Sequence, residues 1–168
     1  LMYEREVKII HCPRANLANH GFSKTPRMLE MGMHLGLGTD GAASSALSLF
    51  EEMQVLRYGM KAFWGLPIFD PLVLPVKDIL KMATIGGATA LGLKDKIGTV
   101  SVGKKADLIL VDIHTPSNYP THNLLSSLVE ATNARDVTDS IINGKLVMKN
   151  REVLTLDKEK ILYNAKKY

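Results

Sequence analysis

The stretch GLGTDGAASSALSLFEEM, residues 36–53, joins a glycine-rich strand end, an acidic turn and the start of a helix. In the strand MHLGLGTD, alternation places the leucines on one face and Gly36, Gly38 and Asp40 on the other. A strand face lined by glycines indicates that another group packs very close to it. Asp40 therefore follows a closely packed strand and precedes a helix.

The segments around this stretch predict a strand, a helix, a strand and a helix in succession. REVKIIHCP reads as a strand from Val7 to His11 that Pro13 ends, and an irregular segment, RANLANHGFSK, follows it. TPRMLEMG then predicts a helix with Thr25 as its N-cap. After the second strand, Ser48 and Glu51 match an S-x-x-E capping box. The amphipathic helix that this box begins has an apolar stripe of Leu49, Met53, Leu56, Met60 and Phe63. Parallel strands joined by right-handed crossovers are the expected arrangement.

The remainder of the chain changes character near residue 93. VKDILKMATIGGATALGL predicts a third helix, and the glycine pair at 86–87 indicates close helix packing because each glycine costs about 1 kcal/mol relative to alanine. Beyond it, IGTVSVGKKADLILVDI, VTDSIINGKLVMKN and REVLTL are β-type runs, and the Asn-Gly pair at 143–144 predicts a hairpin. NLLSSLVEAT and DKEKILYNAKKY predict two further helices, the second capped by Asp157. We therefore divide the chain into regions 1–92 and 93–168.

Composition excludes several classes of protein. The 168 residues are 46% hydrophobic and 23% charged, with no apolar run long enough for a membrane span. Cys12 is the only cysteine, so no internal disulfide forms and a reducing cytoplasm is expected. Residues 145–168 hold seven Lys/Arg against three Asp/Glu and so carry the whole net charge of +4. Without an arginine cluster or interleaved aromatics, this charge predicts a solvated helix face and no nucleic-acid partner.

Six segments of the chain, taken in order, resemble the amidohydrolase superfamily. They are HCPRANL, GLGTDGAAS, FEEM, ILKMATIGGATALGL, IGTVSVGKKADLILVD and IINGKLVMKN. The resemblance is greatest to its branch of methylthioadenosine/adenosylhomocysteine deaminases and chlorohydrolases. It implies an α/β fold: the last two β/α units of an eight-stranded (β/α) TIM barrel in region 1–92, and the C-terminal share of a composite β-sandwich, with a terminal helix, in region 93–168. Residues 7–11 and 33–40 would be barrel strands seven and eight.

Asp40 is the candidate catalytic residue and metal ligand. It stands at the carboxyl end of its strand, where barrel enzymes place catalytic groups. By resemblance it would hold one divalent metal, zinc or alternatively iron, and would accept a proton from a metal-activated water. The histidines show no H-x-H or H-x-x-x-H spacing, and His34 lies about 20 Å from Asp40 along a regular strand. A complete metal site is therefore not expected from this chain alone.

Two further residues are candidates for substrate contact. His11 ends the neighbouring strand and could face the same mouth as Asp40; a histidine hydrogen-bonded in the barrel rim is the open alternative. Asn16 follows in RAN, where the family often has Arg-Ser-Asn, so Ala15 replaces the serine hydroxyl. Cys12 points opposite to His11 and is read as small apolar packing. Ser44 and Ser45 are read as linker and cap residues.

These observations predict a function at the level of the whole protein. The chain is expected to be the C-terminal portion of a metal-dependent hydrolase that deaminates adenosine-type substrates, incomplete and inactive by itself. The alternatives are a chlorohydrolase, a guanine deaminase, or a non-catalytic fragment that serves as a scaffold. Two strands cannot close a barrel, so apolar edges are expected to be exposed. The remaining N-terminal part of the enzyme, another chain or a homo-oligomer would cover them.

Overall fold

A parallel pair of short strands forms the centre of the first region. The structure, a computed structural model, describes residues 1–41 and 46–167, so the expected roles of Ser44 and Ser45 lie outside the described residues. Strand β1 (Ile9–His11) pairs with β2 (Leu35–Leu37) in parallel, and His11 lies opposite Leu37. Both strands are shorter than their predicted ranges, but their parallel direction is confirmed.

The segment after β1 is helical, so the prediction of an irregular stretch was wrong there. Helix α1 (Pro13–Asn19) begins directly at Pro13. Proline suits the first helical turn, where its missing N–H is not needed. The next backbone N–H, that of Arg14, donates to the Glu52 carboxylate at 2.9 Å. This partner lies 38 residues away in sequence, which is why local sequence patterns do not predict the helix.

Helix α2 (Thr25–Glu30) lies within its predicted segment and ends two residues before Gly32, but its first residue has a different role. The helix starts at Thr25, with Lys24 at the N-cap position and no side-chain cap bond. The Thr25 hydroxyl instead contacts Nδ1 of His11 at 3.1 Å. The predicted capping role of Thr25 is therefore replaced by a contact to β1.

Helix α3 (Leu49–Met60) forms the main apolar layer over the strands. Its N-cap is Ser48 as predicted, with the side chain accepting from the backbone N–H of Glu51 at 3.4 Å. The middle of the predicted stripe is buried, whereas Leu49 and Phe63 at its two ends are exposed. The helical path continues through a π-helical turn (Lys61–Gly65) and a 3-10 turn (Leu66–Ile68). The core around this layer contains Leu35, Leu37, Met53, Leu56, Met60, Leu74, Ile79, Met82 and Val129.

The third predicted helix packs its glycines onto β2. It is a continuous helical segment made of α4 (Val76–Lys81), a π-helical turn (Met82–Gly86) and α5 (Gly87–Ala90). A Cβ at Gly86 would overlap the carbonyl oxygen of Leu35, and one at Gly36 would lie 3.0 Å from the Cα of Gly87. The close approach expected of both glycine-rich segments is thus confirmed.

Four antiparallel strands form the second sheet, in the order β3-β4-β5-β6. They are β3 (Leu108–Val111), β4 (Val137–Ile142), β5 (Lys145–Lys149) and β6 (Glu152–Val153). The predicted hairpin joins β4 to β5, with positive φ angles of 51° at Asn143 and 76° at Gly144, as a type I′ turn requires.

Part of the predicted β-type run before β3 is not a strand. Residues 97–103 form turns and bends, and Val100 and Val102 are fully exposed. Gly98 and Gly103 adopt φ angles of 89° and 88°. These left-handed conformations interrupt the extended backbone, so Val100 and Val102 between the two glycines do not form a paired strand.

Two helices complete the second region, and they differ in their surroundings. Helix α6 (Leu124–Glu130) packs against α3 and α4, and its Val129 is fully buried in the first region's core. Helix α7 (Lys158–Ala165) begins at Asp157 as predicted and has no buried residue. No helix in the described part of the chain is long and apolar enough to cross a membrane.

Arg57 joins three parts of the helical layer. Its Nε donates to the Glu130 carboxylate at 2.8 Å, and its guanidinium also donates to the carbonyls of Val73 and Leu74 at 3.0 and 2.9 Å. The side chain is nearly buried, so the carboxylate and the two carbonyls replace its hydration. Helix α6 is therefore tied to α3 by a charged contact as well as by apolar packing.

Candidate functional site

The carboxyl ends of β1 and β2 lie side by side and bring the candidate residues into one region. The backbone N–H of Gly38 donates to the carbonyl of His11 at 2.9 Å, which continues the pairing beyond the regular strands. Within the part that the structure describes, β1 and β2 form a two-stranded sheet without a third strand on either side. Val7 and Ile10 are exposed there, in agreement with the predicted apolar edges.

Asp40 forms a tight turn directly after β2. Its φ angle is 60°, in the left-handed region that residues other than glycine seldom adopt. Its Oδ1 accepts from the backbone N–H of Gly41 at 2.8 Å, a local bond of the kind that lets aspartate tolerate this conformation. The side chain is exposed to solvent in this chain. The turn thus presents a carboxylate at the strand end.

Cys12 packs on the end of β2, just before Asp40. A Cβ built on Gly38 would lie 3.2 Å from the Cys12 sulfur, so the thiol packs directly on the backbone of the strand end. The pKa of the Cys12 thiol is raised above its ordinary value, mainly by burial; the backbone of Asp40 opposes this rise, and the negative charges of Asp40 and Glu52 add to it. Sequence alternation places Cys12 opposite His11 but does not by itself reveal the packing on Gly38.

His11 lies on the other face of the strand pair. Its ring is 3% exposed, Nδ1 contacts the hydroxyls of Thr25 and Ser23 at 3.1 and 3.4 Å, and Phe22 packs edge-on at 6.0 Å between ring centroids. Its Nε2 has no hydrogen-bond partner among the described residues. Burial lowers the pKa of His11 from 6.5 to about 4.

Two predictions were made for His11: a contact with substrate, and a histidine hydrogen-bonded in the barrel rim. Because His11 is paired with Leu37, its ring shares the leucine face and not the glycine face that leads to Asp40. The contacts with Ser23 and Thr25 fit the histidine hydrogen-bonded at the rim. A direct contact between His11 and substrate remains a prediction.

Asn16 is half-buried on α1, close to the end of β1. Its Oδ1 accepts from the backbone N–H of Cys12 at 3.3 Å. The Asn16 side chain therefore stabilises the turn that joins Cys12 to α1. Ala15 is buried beside it at 3% exposure, so the position that the family pattern gives to serine is used here for packing.

The FEEM segment positions α1, a role that the sequence pattern alone does not reveal. Glu52 is fully buried, and its Oε2 accepts from the backbone N–H of Arg14 at the start of α1. The guanidinium of Arg14 also forms an ion pair with Glu51. The sequence does contain a signal for this role. Glu51 and Glu52 are adjacent in the first turn of an amphipathic helix, and Glu52 falls on its buried face.

The described residues do not assemble a complete metal site. No group of three or more His, Cys, Asp or Glu side chains in residues 1–41 and 46–167 is arranged to hold a metal ion. A single exposed carboxylate at a strand end is chemically suited to be one hard oxygen ligand. The fit to a divalent metal is therefore partial: Asp40 would supply one ligand, and further ligands would come from outside these residues.

Comparison with known proteins places the chain in a family. Residues 1–147 match the model of the amidohydrolase family, and the chain belongs to this family. The 5-methylthioadenosine/S-adenosylhomocysteine deaminase of Thermoanaerobacter pseudethanolicus is 44% identical over 170 residues, which are 99% of this chain and 38% of that protein. The resemblance noted from the sequence is confirmed.

Solved structures agree with this assignment. A zinc-bound adenosine deaminase from Xanthomonas campestris superimposes with a TM-score of 0.88 at 36% identity, over 94% of this chain and 36% of that chain. The zinc complex of the atrazine chlorohydrolase TrzN from Arthrobacter aurescens TC1 has a TM-score of 0.84 over 98% of this chain and 36% of that chain. Its identity of 24% shows similarity of fold alone. This chain thus spans little more than a third of the length of these relatives.

Proposed function

We propose that this chain supplies the last two β/α units of a metal-dependent amidohydrolase barrel and the C-terminal share of its flanking β-sandwich. The parallel pair β1–β2 with its covering helices supports the first assignment, and the antiparallel sheet β3–β6 supports the second. On this proposal residues 1–92 belong to the barrel and residues 93–168 to the sandwich and terminal helix, with α6 returning to the barrel helices.

The proposed reaction is the hydrolytic deamination of an adenosine-type substrate, such as methylthioadenosine or adenosylhomocysteine. The observation that carries it is the exposed Asp40 carboxylate at the end of a parallel strand, in a chain 44% identical to a protein named as a deaminase of these compounds. The adenosine deaminase with bound zinc, at 36% identity, supports the same substrate class and a divalent metal, with zinc favoured.

Within this mechanism Asp40 has two tasks. Its carboxylate would hold the metal through one oxygen and accept a proton at the other, before returning that proton toward the departing ammonia. When bound, a divalent metal supplies Lewis acidity and lowers the pKa of a water molecule to near neutrality. His11 would fix the end of β1 through Ser23 and Thr25, and Asn16 would set the turn that follows. A direct substrate contact by either residue is the further proposal.

A non-catalytic role as a scaffold is the second candidate. It is favoured by the lack of a metal-ligand group of three or more side chains among the described residues. The unpaired edges of the two-stranded sheet would then serve only to bind a partner, either the rest of the barrel or another copy of the chain.

Metal content and turnover in matched samples separate these candidates. The complete gene product that carries this sequence is purified as wild type and as Asp40→Asn, and each is assayed for zinc and iron content and for ammonia release from methylthioadenosine. We expect near-stoichiometric metal and turnover in the wild type, with both largely lost in Asp40→Asn. Ser126→Ala, at a half-buried position on helix α6, provides a control that should retain both. Metal-free wild type without turnover would overturn the deaminase proposal, as would chloride release from a chlorotriazine in place of ammonia release from the nucleoside.

A further inference from the structure

The segment that follows α3 exposes five large apolar side chains within ten residues. They are Phe63, Leu66, Ile68, Phe69 and Leu72, and each is between 63% and 93% exposed. Scattered apolar residues are normal on a protein surface, whereas a contiguous apolar patch of several hundred Å² is often functional. We call this group the 63–72 surface.

Backbone bonds hold this segment in a compact loop without using the apolar side chains. The carbonyls of Gly65 and Leu66 accept from the backbone N–H groups of Asp70 and Phe69 at 2.9 and 3.1 Å. The Asp70 carboxylate accepts from the N–H of Leu72 at 2.9 Å. A Cβ at Gly65 would overlap the carbonyl oxygen of Asp70, so the two ends of the loop are in contact. The five side chains are therefore held close together on a preformed backbone.

The loop is also anchored to the helical layer. Directly after it, the carbonyls of Val73 and Leu74 accept from the buried guanidinium of Arg57. Before it, the π-helical turn packs mainly on the end of α3, and the rings of Phe63 and Phe22 lie 5.7 Å apart between centroids. The 63–72 surface thus has a fixed position on the outer helical layer.

Phe69 has an unfavourable backbone conformation as well as an exposed ring. Its φ angle is 56°, in the left-handed region that is unusual for a bulky residue. Glycine or asparagine would adopt this conformation at a lower cost. Strain of this kind, kept at an exposed phenylalanine, favours a function for the side chain itself.

The charge of the surface favours a second copy of the same chain as the group that covers it. Residues 62–69 contain no charged residue, and the flanking Lys61 and Asp70 have opposite charges. In a two-fold dimer a surface faces its own copy, so an uncharged surface meets no repulsion. The exposed apolar residues of α7 differ, because residues 145–168 hold seven Lys/Arg against three Asp/Glu and two copies would repel each other there.

The area of the surface also fits a dimer. A buried aromatic side chain removes about 200 Å² from water and a buried aliphatic one about 100 Å². With the observed exposed fractions, each copy offers about 500 Å² of apolar area. Two copies would bury about 1,000 Å² together, which reaches the size of the smaller specific interfaces.

We propose that the 63–72 surface is the interface of a two-fold homodimer, with the ring of Phe69 as its main contact. This interface is separate from the edges of β1 and β2, which the proposed function assigns to the rest of the barrel. Strands that pair with those edges extend the sheet, whereas the 63–72 surface belongs to the outer helical layer. The inference goes beyond the proposed function and does not depend on it.

Two variants of the complete gene product that carries this sequence test the interface. Phe69→Asn removes the ring and keeps the backbone, because asparagine accepts a left-handed φ angle. Val102→Asn is the matched control, since it removes a fully exposed apolar side chain outside the 63–72 surface. Urea unfolding of each variant, at concentrations where the protein is monomeric, reports whether the fold is kept.

The first measurement is sedimentation velocity over a concentration series. We expect the wild type to form a dimer and Phe69→Asn to raise its dissociation constant about thirtyfold, as loss of a central aromatic contact does. Val102→Asn should match the wild type. A wild type that stays monomeric throughout, a dimer that Phe69→Asn leaves unchanged, or equal weakening by Val102→Asn would overturn the proposal. A monomeric wild type that Phe69→Asn destabilises would also overturn it and would assign the surface to the rest of the same chain.

The second measurement is hydrogen exchange of the wild type below and above its dissociation constant. We expect exchange to slow on dimerisation in the segment 66–72 and to stay unchanged in α7 and β1. Slower exchange in α7 or β1 alone would place the dimer contact elsewhere and refute the inference. Neither measurement uses metal content or turnover, so a failure here leaves the deaminase proposal intact, and the reverse also holds.

Discussion

The buried imidazole of His11 makes the stability of this chain depend on pH in a defined window. His11 is 3% exposed, and burial lowers its pKa to about 4 from 6.5. The unfolded chain therefore binds a proton more readily than the folded chain at this residue. The stabilisation is complete above about pH 6.5 and is lost as the pH falls through this value toward 4.

The size of the effect follows from the two pKa values. One pKa unit corresponds to about 1.4 kcal/mol, so the full shift from 6.5 to about 4 is worth about 3 kcal/mol. Between about pH 7 and about pH 5, the expected loss in the free energy of unfolding from His11 alone is about 2 kcal/mol. Most carboxyl groups titrate below this window, so they contribute little to the difference.

The assay is urea unfolding at several pH values, followed by the fluorescence of Trp64, the single tryptophan. His11→Asn is the matched variant, because its amide can still contact the hydroxyl of Thr25 but does not titrate. We expect the variant to lose most of the pH dependence between about pH 7 and about pH 5, whatever its absolute stability. Equal slopes in the two proteins would refute the account of His11 as a buried neutral imidazole.

Three other perturbations test the packing by urea unfolding. Gly86→Ala should destabilise the chain by about 1–3 kcal/mol or more, because its Cβ would overlap the backbone of β2. Its control, Gly87→Ala, should be neutral or stabilising by up to about 1 kcal/mol, because that Cβ meets only an ordinary contact at 3.8 Å. Equal losses of stability in the two variants would contradict the close approach at Gly86. Arg57→Met should lower the free energy of unfolding by about 3 kcal/mol, because it leaves a carboxylate and two carbonyls unpaired. Glu130→Gln, which keeps an acceptor, should lower it clearly less. An unchanged free energy of unfolding in Arg57→Met would show that the contact contributes nothing to stability. Gly144→Ala should cost about 1 kcal/mol, since its φ angle of 76° disfavours a Cβ, and an unchanged midpoint would argue against the type I′ turn.

Features set by neighbours in sequence were predictable. The alternation around Gly36 predicted the close approach of another backbone, and the Asn-Gly pair predicted the hairpin between β4 and β5. Ser48, Asn123 and Asp157 all cap helices through bonds to a backbone N–H three residues ahead. These interactions span a few residues, so the residue types and their spacing contain the information.

Features that depend on distant partners were not predictable in the same way. Helix α1 begins with a bond to Glu52, and the Thr25 hydroxyl contacts His11 across 14 residues. The packing of the Cys12 sulfur on Gly38 needs the register of two parallel strands, which no local pattern contains. The apolar alternation around Val100 is β-like, yet the glycines on either side break the extended backbone.

The return of α6 to the first region affects how the two parts of the chain can separate. The exposed stretch around Val100 and Val102 lies between α5 and β3, whereas α6 follows β3 and packs on α3. A protease that cut this stretch would produce two fragments that share one apolar interior and the ion pair between Arg57 and Glu130. We expect the nicked protein to elute as a single particle and its fragments to come apart only in denaturant.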